Sequence, residues 1–265
     1  MYCEPAFCVI IWHKKNKYIL VNNMILDYIK SVLVIVPVYN ESQNIDFILS
    51  DLSAVSGYDV VYVNDASADD SAEKLRAMGQ RVVDLPINLG IGGCMQAGYK
   101  FAQKHGYDIA VQYDGDGQHC ASEIPKLVKL IEDGYDYVIG SRFMDNTGYR
   151  STAARRIGIR LLSLMIRILS GRYILDVTSG FRACNRDVIN MFCEYYPRDY
   201  PEPEVAGALA RKGYSVAEVS VVMRERQGGV SSIRVLKSIY YMIKVATAIL
   251  FSYRCYPKKK GERKS

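Results

Sequence analysis

No stretch of the 265-residue chain reaches the ~18–20 uncharged apolar residues that a membrane-spanning helix needs. The longest candidate, Val245–Tyr253, is half that length. The apolar patch Phe7–Trp12 follows Glu4 and lacks a basic flank and a small-residue cleavage site, so it does not read as a signal peptide. The seven cysteines (Cys3, Cys8, Cys94, Cys120, Cys184, Cys193, Cys255) are odd in number and scattered, with no C-x-x-C pair. That pattern excludes a disulfide framework and a zinc site, and it fits a reducing, cytosolic compartment. There is no internal repeat, and no glycine-rich loop carries a phosphate-gripping lysine. A soluble or peripheral protein is expected.

The charge is present but unevenly placed. The net value is +6. Residues 254–265 hold six Lys/Arg against one Glu, and residues 142–172 hold seven Arg, no Lys and one Asp. The remainder is acidic. Two local basic regions on an acidic body predict a localised anionic partner rather than nucleic acid.

From Val32 onward the pattern is regular. Val32–Val38 is a continuous β-branched run, as in a strand buried on both faces. Further strands are predicted at Val60–Val63, Arg81–Leu85, Ile109–Tyr113, Tyr137–Ile139 and Tyr214–Met223. Helices are predicted around 45–52 and at Asp70–Met78, Gly90–His105, Ile124–Asp133, Ala153–Ser170, Pro203–Lys212 and Ser231–Phe251. Alternating strands and helices indicate an α/β fold with a largely parallel central sheet flanked by helices and a C-terminal amphipathic helix. Asp176–Arg186 reads as a glycine-containing loop, and residues 1–30 show no clear period. Residues 1–23 are expected to be a dispensable extension.

Polar residues gather at the carboxyl ends of three of the predicted strands: Asn40 and Glu41, then Asp65, then Asp114 and Asp116. Ligands bind at that edge of open α/β sheets. One such strand end could be mere turn chemistry, but three favour a site. The sharpest signal is Tyr113-Asp114-Gly115-Asp116-Gly117-Gln118-His119. Two carboxylates two residues apart after a buried strand make a hard-oxygen site suited to Mg²⁺ or Mn²⁺ shared with a diphosphate, with Gln118 as a third, neutral ligand. His119 reads as a local hydrogen-bonding residue.

Six segments in this order, VIVPVYNES, VVYVNDASADDS, NLGIGGCMQAGYK, YDGDGQH, IGSRF and DVTSGFRACNR, resemble the family 2 glycosyltransferases of GT-A fold. More narrowly, they are similar to the branch that makes polyprenyl-phosphate sugars, which includes dolichol-phosphate mannose synthase. The resemblance spans about residues 32–230 and divides the chain into an N-terminal extension (1–30), a GT-A domain (31–230) and an amphipathic helix with a basic tail (231–265). It implies that Pro37, Tyr39, Asn40 and Glu41 border the nucleotide, that Asp65 meets its base or ribose, and that Asn88, Gly90 and Gly93 line the donor pocket. It implies a metal on Asp114, Asp116 and Gln118. Arg142 and Arg156 would meet phosphate near the acceptor, Ser179, Gly180 and Arg182 would lie under the sugar and acceptor phosphate, and Arg226 and Ser231 would belong to the segment over the diphosphate. Glu202 and Glu204 depart from the usual run there, and either could contact the donor sugar or serve as a base.

The expected activity is inverting hexosyl transfer from a nucleotide-sugar, a UDP-sugar first, to a polyprenyl phosphate. A phosphate monoester needs no general base, since it is already anionic at neutral pH. It needs cationic positioning, which arginine supplies. The stripe Ile157, Leu161, Leu164, Met165 and Ile168 beside Arg156, Arg160 and Arg167 fits a membrane surface, although such stripes more often pack on a core. The expected location is cytoplasmic, peripheral at the inner face of the cell membrane, with a separate small membrane-protein partner in place of spanning helices. The competing expectations are transfer to a hydroxyl acceptor in polysaccharide or glycolipid synthesis, and a catalytically idle nucleotide-binding module that recruits partners at a membrane.

Overall fold

The computed structural model describes residues 8–13, 16–21, 24–145, 153–199, 201–224 and 244–259. In the 1–30 region, β1 (Cys8–His13), β2 (Asn16–Val21) and β3 (Met24–Ile29) form a three-stranded antiparallel sheet. The sequence shows no clear period in this region, yet it forms regular strands. The short strands pair with one another, and their pattern is weak until the pairing is known.

The body then alternates: β4 (Val32–Val38), α1 (Ile45–Ser53), β5 (Asp59–Asn64), α2 (Ser71–Ala77), β6 (Val82–Asp84), α3 (Gly90–His105), β7 (Ile109–Gln112), α4 (Ile124–Glu132), β8 (Tyr137–Ser141) and α5 (Ala153–Ser170). It continues with β9 (Arg182–Asn185), α6 (Arg186–Glu194), α7 (Pro201–Arg211) and β10 (Val216–Ser220). Residues 244–251 are helical, and the rest of the predicted C-terminal helix, 231–243, lies outside the described residues. Seven strands form one sheet in the order β10-β8-β9-β7-β4-β5-β6. Every pairing is parallel except those of β9, which runs antiparallel between β7 and β8. Residues 182–185 are therefore a central strand where a loop was expected.

Alternation along β4 divides the core. Leu33 and Ile35 join the side chains of α3, α5, α6 and α7 on one face, while Val32, Val34, Val36 and Val38 join α1 and α4 on the other. Helix α4 buries Ile124, Leu127, Val128 and Ile131 at helical spacing, which is why it lies flat on the sheet. On α5 the buried positions are Ile159, Leu162, Ser163 and Ile166, whereas Ile157, Leu161, Leu164 and Ile168 are exposed, Ile168 by 74%.

Buried carboxylates tie the layers together. Asp136 accepts from the Ser215 amide (2.7 Å) and hydroxyl (2.8 Å), Asn185 Nδ2 (2.9 Å) and Lys259 Nζ (2.7 Å), joining β8, β9, β10 and the C-terminal stretch. Burial works to raise its pKa, but Lys259 and the Ser215 donors outweigh burial and hold it below the usual value. The same balance lowers Asp176 through Arg142 and Asp51 through Arg224 and Tyr113. Groups with depressed folded-state pKa values stabilise the fold above the unfolded value, 3.8, and lose that contribution as pH falls through their folded values. Acid unfolding is therefore expected to begin only below about pH 4. Asp136→Asn should weaken the fold at neutral pH by about 1.5–3 kcal/mol and leave less stability to lose in acid. Circular dichroism melts against pH check this, and an Asp136→Asn protein as stable as the parent at pH 7 would contradict it.

Candidate active site

The carboxyl edge of the parallel strands carries four consecutive loops: 39–44 after β4, 65–70 after β5, 85–89 after β6 and 113–119 after β7. Because β9 is antiparallel, the loop that enters it, 176–181, arrives at this same edge. The antiparallel register pairs Gln112 with Arg182, so two residues past Gln112 and two before Arg182 Asp114 meets Gly180.

That meeting is tight. A Cβ on Gly180 would fall inside 3.0 Å of Asp114 Oδ2, and a Cβ on Gly115 would lie 2.6 Å from the Pro37 carbonyl oxygen. Both glycines permit close approach where any side chain would displace the carboxylate or the loop. Gly180→Ala is expected to lower turnover by about 10²-fold, through displacement of Asp114 by an ångström-scale shift. Steady-state rates at saturating Mn²⁺ check this, and parental rates would contradict it.

Asp114 is half-buried, with Gln112 Nε2 3.1 Å from Oδ1 and His119 Nε2 3.5 Å from Oδ2. Its amide donates to His119 Nδ1 (2.9 Å). Asp116 is half-buried, and its Oδ1 accepts the Gln118 amide (3.1 Å), a turn that keeps 116–118 compact. Burial pushes the His119 imidazole below its usual pKa against the pull of Asp114 and Asp116. Among the described residues no cluster of three His, Cys, Asp or Glu side chains could hold a metal. Two carboxylates and an amide oxygen fit a hard divalent cation whose other ligands come from a diphosphate and water.

The loops after β4, β5 and β6 are stitched together. Asn40, at φ 55°, donates its amide to Ser67 Oγ (3.1 Å) and accepts the Ala68 amide on Oδ1 (2.8 Å). The Glu41 amide donates to Ser71 Oγ (3.0 Å), and Glu41 Oε2 accepts from Asn44 Nδ2 (2.6 Å). Asp65 is buried and accepts the amides of Leu89 (2.7 Å) and Gly90 (2.9 Å), so it caps the entrance to α3. Asn88 Oδ1 also accepts the Gly90 amide (3.0 Å). Tyr39 is exposed at the rim.

The arginines divide. Arg142 is buried and forms a bidentate pair with fully buried Asp176, both contacts at 2.7 Å, while its Nη2 also donates to Thr178 Oγ1 (2.9 Å). Arg182 is buried below the site, where its Nη groups donate to Tyr137 Oη (2.7 Å) and to the carbonyls of Glu202 (2.7 Å) and Val177 (2.8 Å). Its Nε donates to the Ser179 carbonyl, and buried Ser179 accepts the Phe181 amide on Oγ (3.3 Å). Arg182 thus frames the 177–181 loop from beneath. Arg156 is exposed on α5. Arg226 and Ser231 lie outside the described residues.

The two acidic residues of α7 separate as well. Glu204 is buried and accepts from Tyr195 Oη (3.0 Å). Glu202 is half-buried, its backbone carbonyl accepts Arg182 Nη1 (2.7 Å), and burial raises the pKa of its carboxyl against the pull of Arg182. Sequence reasoning missed Asp176 and Arg224. Arg224 donates its amide to the Gln118 carbonyl (2.8 Å), Nη1 to the His119 carbonyl (3.0 Å) and Nη2 to Asp51 (2.6 Å). Nothing local in the sequence pairs residues 105 or 173 positions apart.

Known proteins resemble this chain in sequence and fold. The family described as Glycosyl transferase family 2 matches residues 33–192, from the first central strand through α6. The polyprenol monophosphomannose synthase of Mycolicibacterium smegmatis is 29% identical over 225 residues, covering 81% of this chain and 85% of that one. The undecaprenyl-phosphate 4-deoxy-4-formamido-L-arabinose transferase of Serratia proteamaculans is 30% identical, covering 83% and 68%. Among solved structures, glucosyl-3-phosphoglycerate synthase from Mycobacterium tuberculosis, crystallised with Mg²⁺ and UDP, shares the fold with a TM-score of 0.66 at 22% identity, covering 87% and 81%. A family match that covers more than half of the chain, on a GT-A fold whose sheet edge gathers the matched motifs, makes this chain an enzyme of glycosyl transferase family 2.

Proposed function

We propose that this glycosyltransferase moves a sugar from a nucleotide-sugar, a UDP-sugar first, onto a polyprenyl phosphate, with inversion and in dependence on Mg²⁺ or Mn²⁺. The observation that carries the lipid-phosphate reading is α5. Its apolar residues Ile157, Leu161, Leu164 and Ile168 face outward, and Arg156, Arg160 and Arg167 are exposed on the same helix. A helix of that pattern fits the inner face of a membrane, where its arginines meet anionic headgroups and a prenyl chain is within reach. Two relatives named for undecaprenyl phosphate and polyprenol support the same acceptor class.

In this reading Asp114, Asp116 and Gln118 hold the cation, which when bound neutralises charge developing on the departing diphosphate. Pro37, Tyr39, Asn40, Glu41, Asp65, Asn88, Gly90 and Gly93 shape the nucleotide side. Ser179 and Gly180, braced by Arg182, lie beneath the sugar. Arg142, Arg156, Arg226 and Ser231 supply the positive charge and hydroxyl contacts for the acceptor phosphate and diphosphate. No helix among the described residues is long and apolar enough to cross a membrane, and a small membrane-protein partner would complement surface contact through α5 and the basic tail.

A second reading, transfer to a hydroxyl, is favoured by one feature: half-buried Glu202 is tied to Arg182 beneath the site through its backbone carbonyl, and burial holds its carboxyl above the usual pKa, the direction that suits a base. Incubation of labelled UDP-sugar and Mn²⁺ with undecaprenyl phosphate separates the two. A labelled lipid that is labile to mild acid and forms only with the phosphate supports the first reading. Equal transfer to the dephosphorylated prenol, lost in Glu202→Gln, supports the second.

A further inference from the structure

We infer that His119 is the positioning residue of the cation site, fixing both the backbone and the carboxylate of Asp114 through one imidazole ring. This rests on the assignment of Asp114 as a cation ligand. The ring is 3% exposed, stacks on Phe181 at 4.6 Å and 19° between planes, and meets Tyr113 edge-on at 5.5 Å. Its Nδ1 accepts the Asp114 amide at 2.9 Å. A ring nitrogen that accepts carries no proton, so in the neutral ring the proton sits on Nε2. That nitrogen lies 3.5 Å from Asp114 Oδ2, while Gln112 Nε2 lies 3.1 Å from Oδ1.

Oδ1 of Asp114 therefore takes the Gln112 amide, while Oδ2 has the Nε2–H edge of the ring as a neutral neighbour and Gly180 packed against it, and the carboxylate stays partly open on its outer side. The ring is also braced from its own backbone. The His119 carbonyl accepts Tyr113 Oη at 2.9 Å and Arg224 Nη1 at 3.0 Å, so the main chain beneath the imidazole is held by the start of its own loop and by a residue 105 positions away. A rigid ring with an acceptor on one side and a donor on the other can clip residues 114 and 119 across the intervening Gly115–Gln118 turn. An amide side chain can supply the acceptor or the donor at these two points, but not both. Partners that orient cation ligands in this way typically change affinity 10–100-fold when removed.

The test uses the full chain and the free-Mn²⁺ electron paramagnetic resonance signal, titrated with protein in the presence of UDP. His119→Asn keeps an acceptor for the Asp114 amide and removes the donor to its carboxylate. His119→Phe keeps the stack on Phe181 and removes both. Both are expected to weaken Mn²⁺ about 10–100-fold, with His119→Asn melting close to the parent in EDTA. Parental Mn²⁺ affinity in His119→Asn overturns the inference, and that variant alone decides it should His119→Phe fail to fold. A parent chain that binds no Mn²⁺ with UDP overturns the cation assignment itself and the inference with it.

Discussion

Replacement of Asp116 by alanine is expected to reduce sugar transfer by about 10³-fold or more while the protein stays folded. A cation that stabilises a departing diphosphate is worth several kcal/mol of barrier, and each ~1.4 kcal/mol is tenfold in rate. The cost to the fold is small by comparison. Asp116 is half-buried, and the interactions lost within the chain include the bond from the Gln118 amide at 3.1 Å. One such bond is worth about 1 kcal/mol, or about 2–4 °C in melting temperature for a chain of this size. Asp116→Asn retains an acceptor for the turn and isolates the loss of charge. Rates measured with Mn²⁺ and with EDTA, beside melting curves, test this directly. Parental turnover in either variant, or in metal-free buffer, would remove the cation from the reaction.

The second large effect is on stability. Arg142→Met is expected to cost about 3–5 kcal/mol, because it leaves the carboxylate of Asp176 buried and without its principal counter-charge. Asp176 is 0% exposed and receives the Arg142 amide as well as the guanidinium. Its neighbour Glu218 accepts the amides of Leu175 (2.7 Å) and Asp176 (2.8 Å) and has its own pKa raised by burial, so the cluster has little tolerance for another unpaired negative charge. The melting temperature should fall by about 6–20 °C. The double variant Arg142→Met with Asp176→Leu should recover most of that loss, since buried ion pairs are often replaceable by apolar side chains of similar volume. An unchanged melting temperature with a raised KM for the acceptor would instead assign Arg142 entirely to substrate phosphate.

Much of the site is legible in the sequence, for a physical reason. Strands buried on both faces are continuous apolar runs, so a carboxylate at the end of such a run stands out, as Asp65 and Asp114 do. Helices α3, α4 and α5 are readable because their apolar residues recur at a local period. On α5 the period is not enough. It is compatible with two apolar faces, and only packing shows that Ile159, Leu162 and Ile166 turn inward while Ile157, Leu161, Leu164 and Ile168 remain outside.

By itself the sequence determined the α/β alternation, the carboxyl-edge location of the acidic pair and the basic, apolar character of α5. All of these follow from interactions within a few residues of chain. Only the tertiary structure decided that β9 runs antiparallel in mid-sheet and thereby brings Gly180 against Asp114. It alone paired Arg142 with Asp176, 34 residues away, seated the Glu202 carbonyl on Arg182 and the Glu204 carboxyl on Tyr195, and set Arg224 against the carbonyls of Gln118 and His119. Those contacts join residues far apart in the chain, and no local spacing encodes them. They exist because a close-packed sheet edge leaves one register in which each buried charge finds a partner.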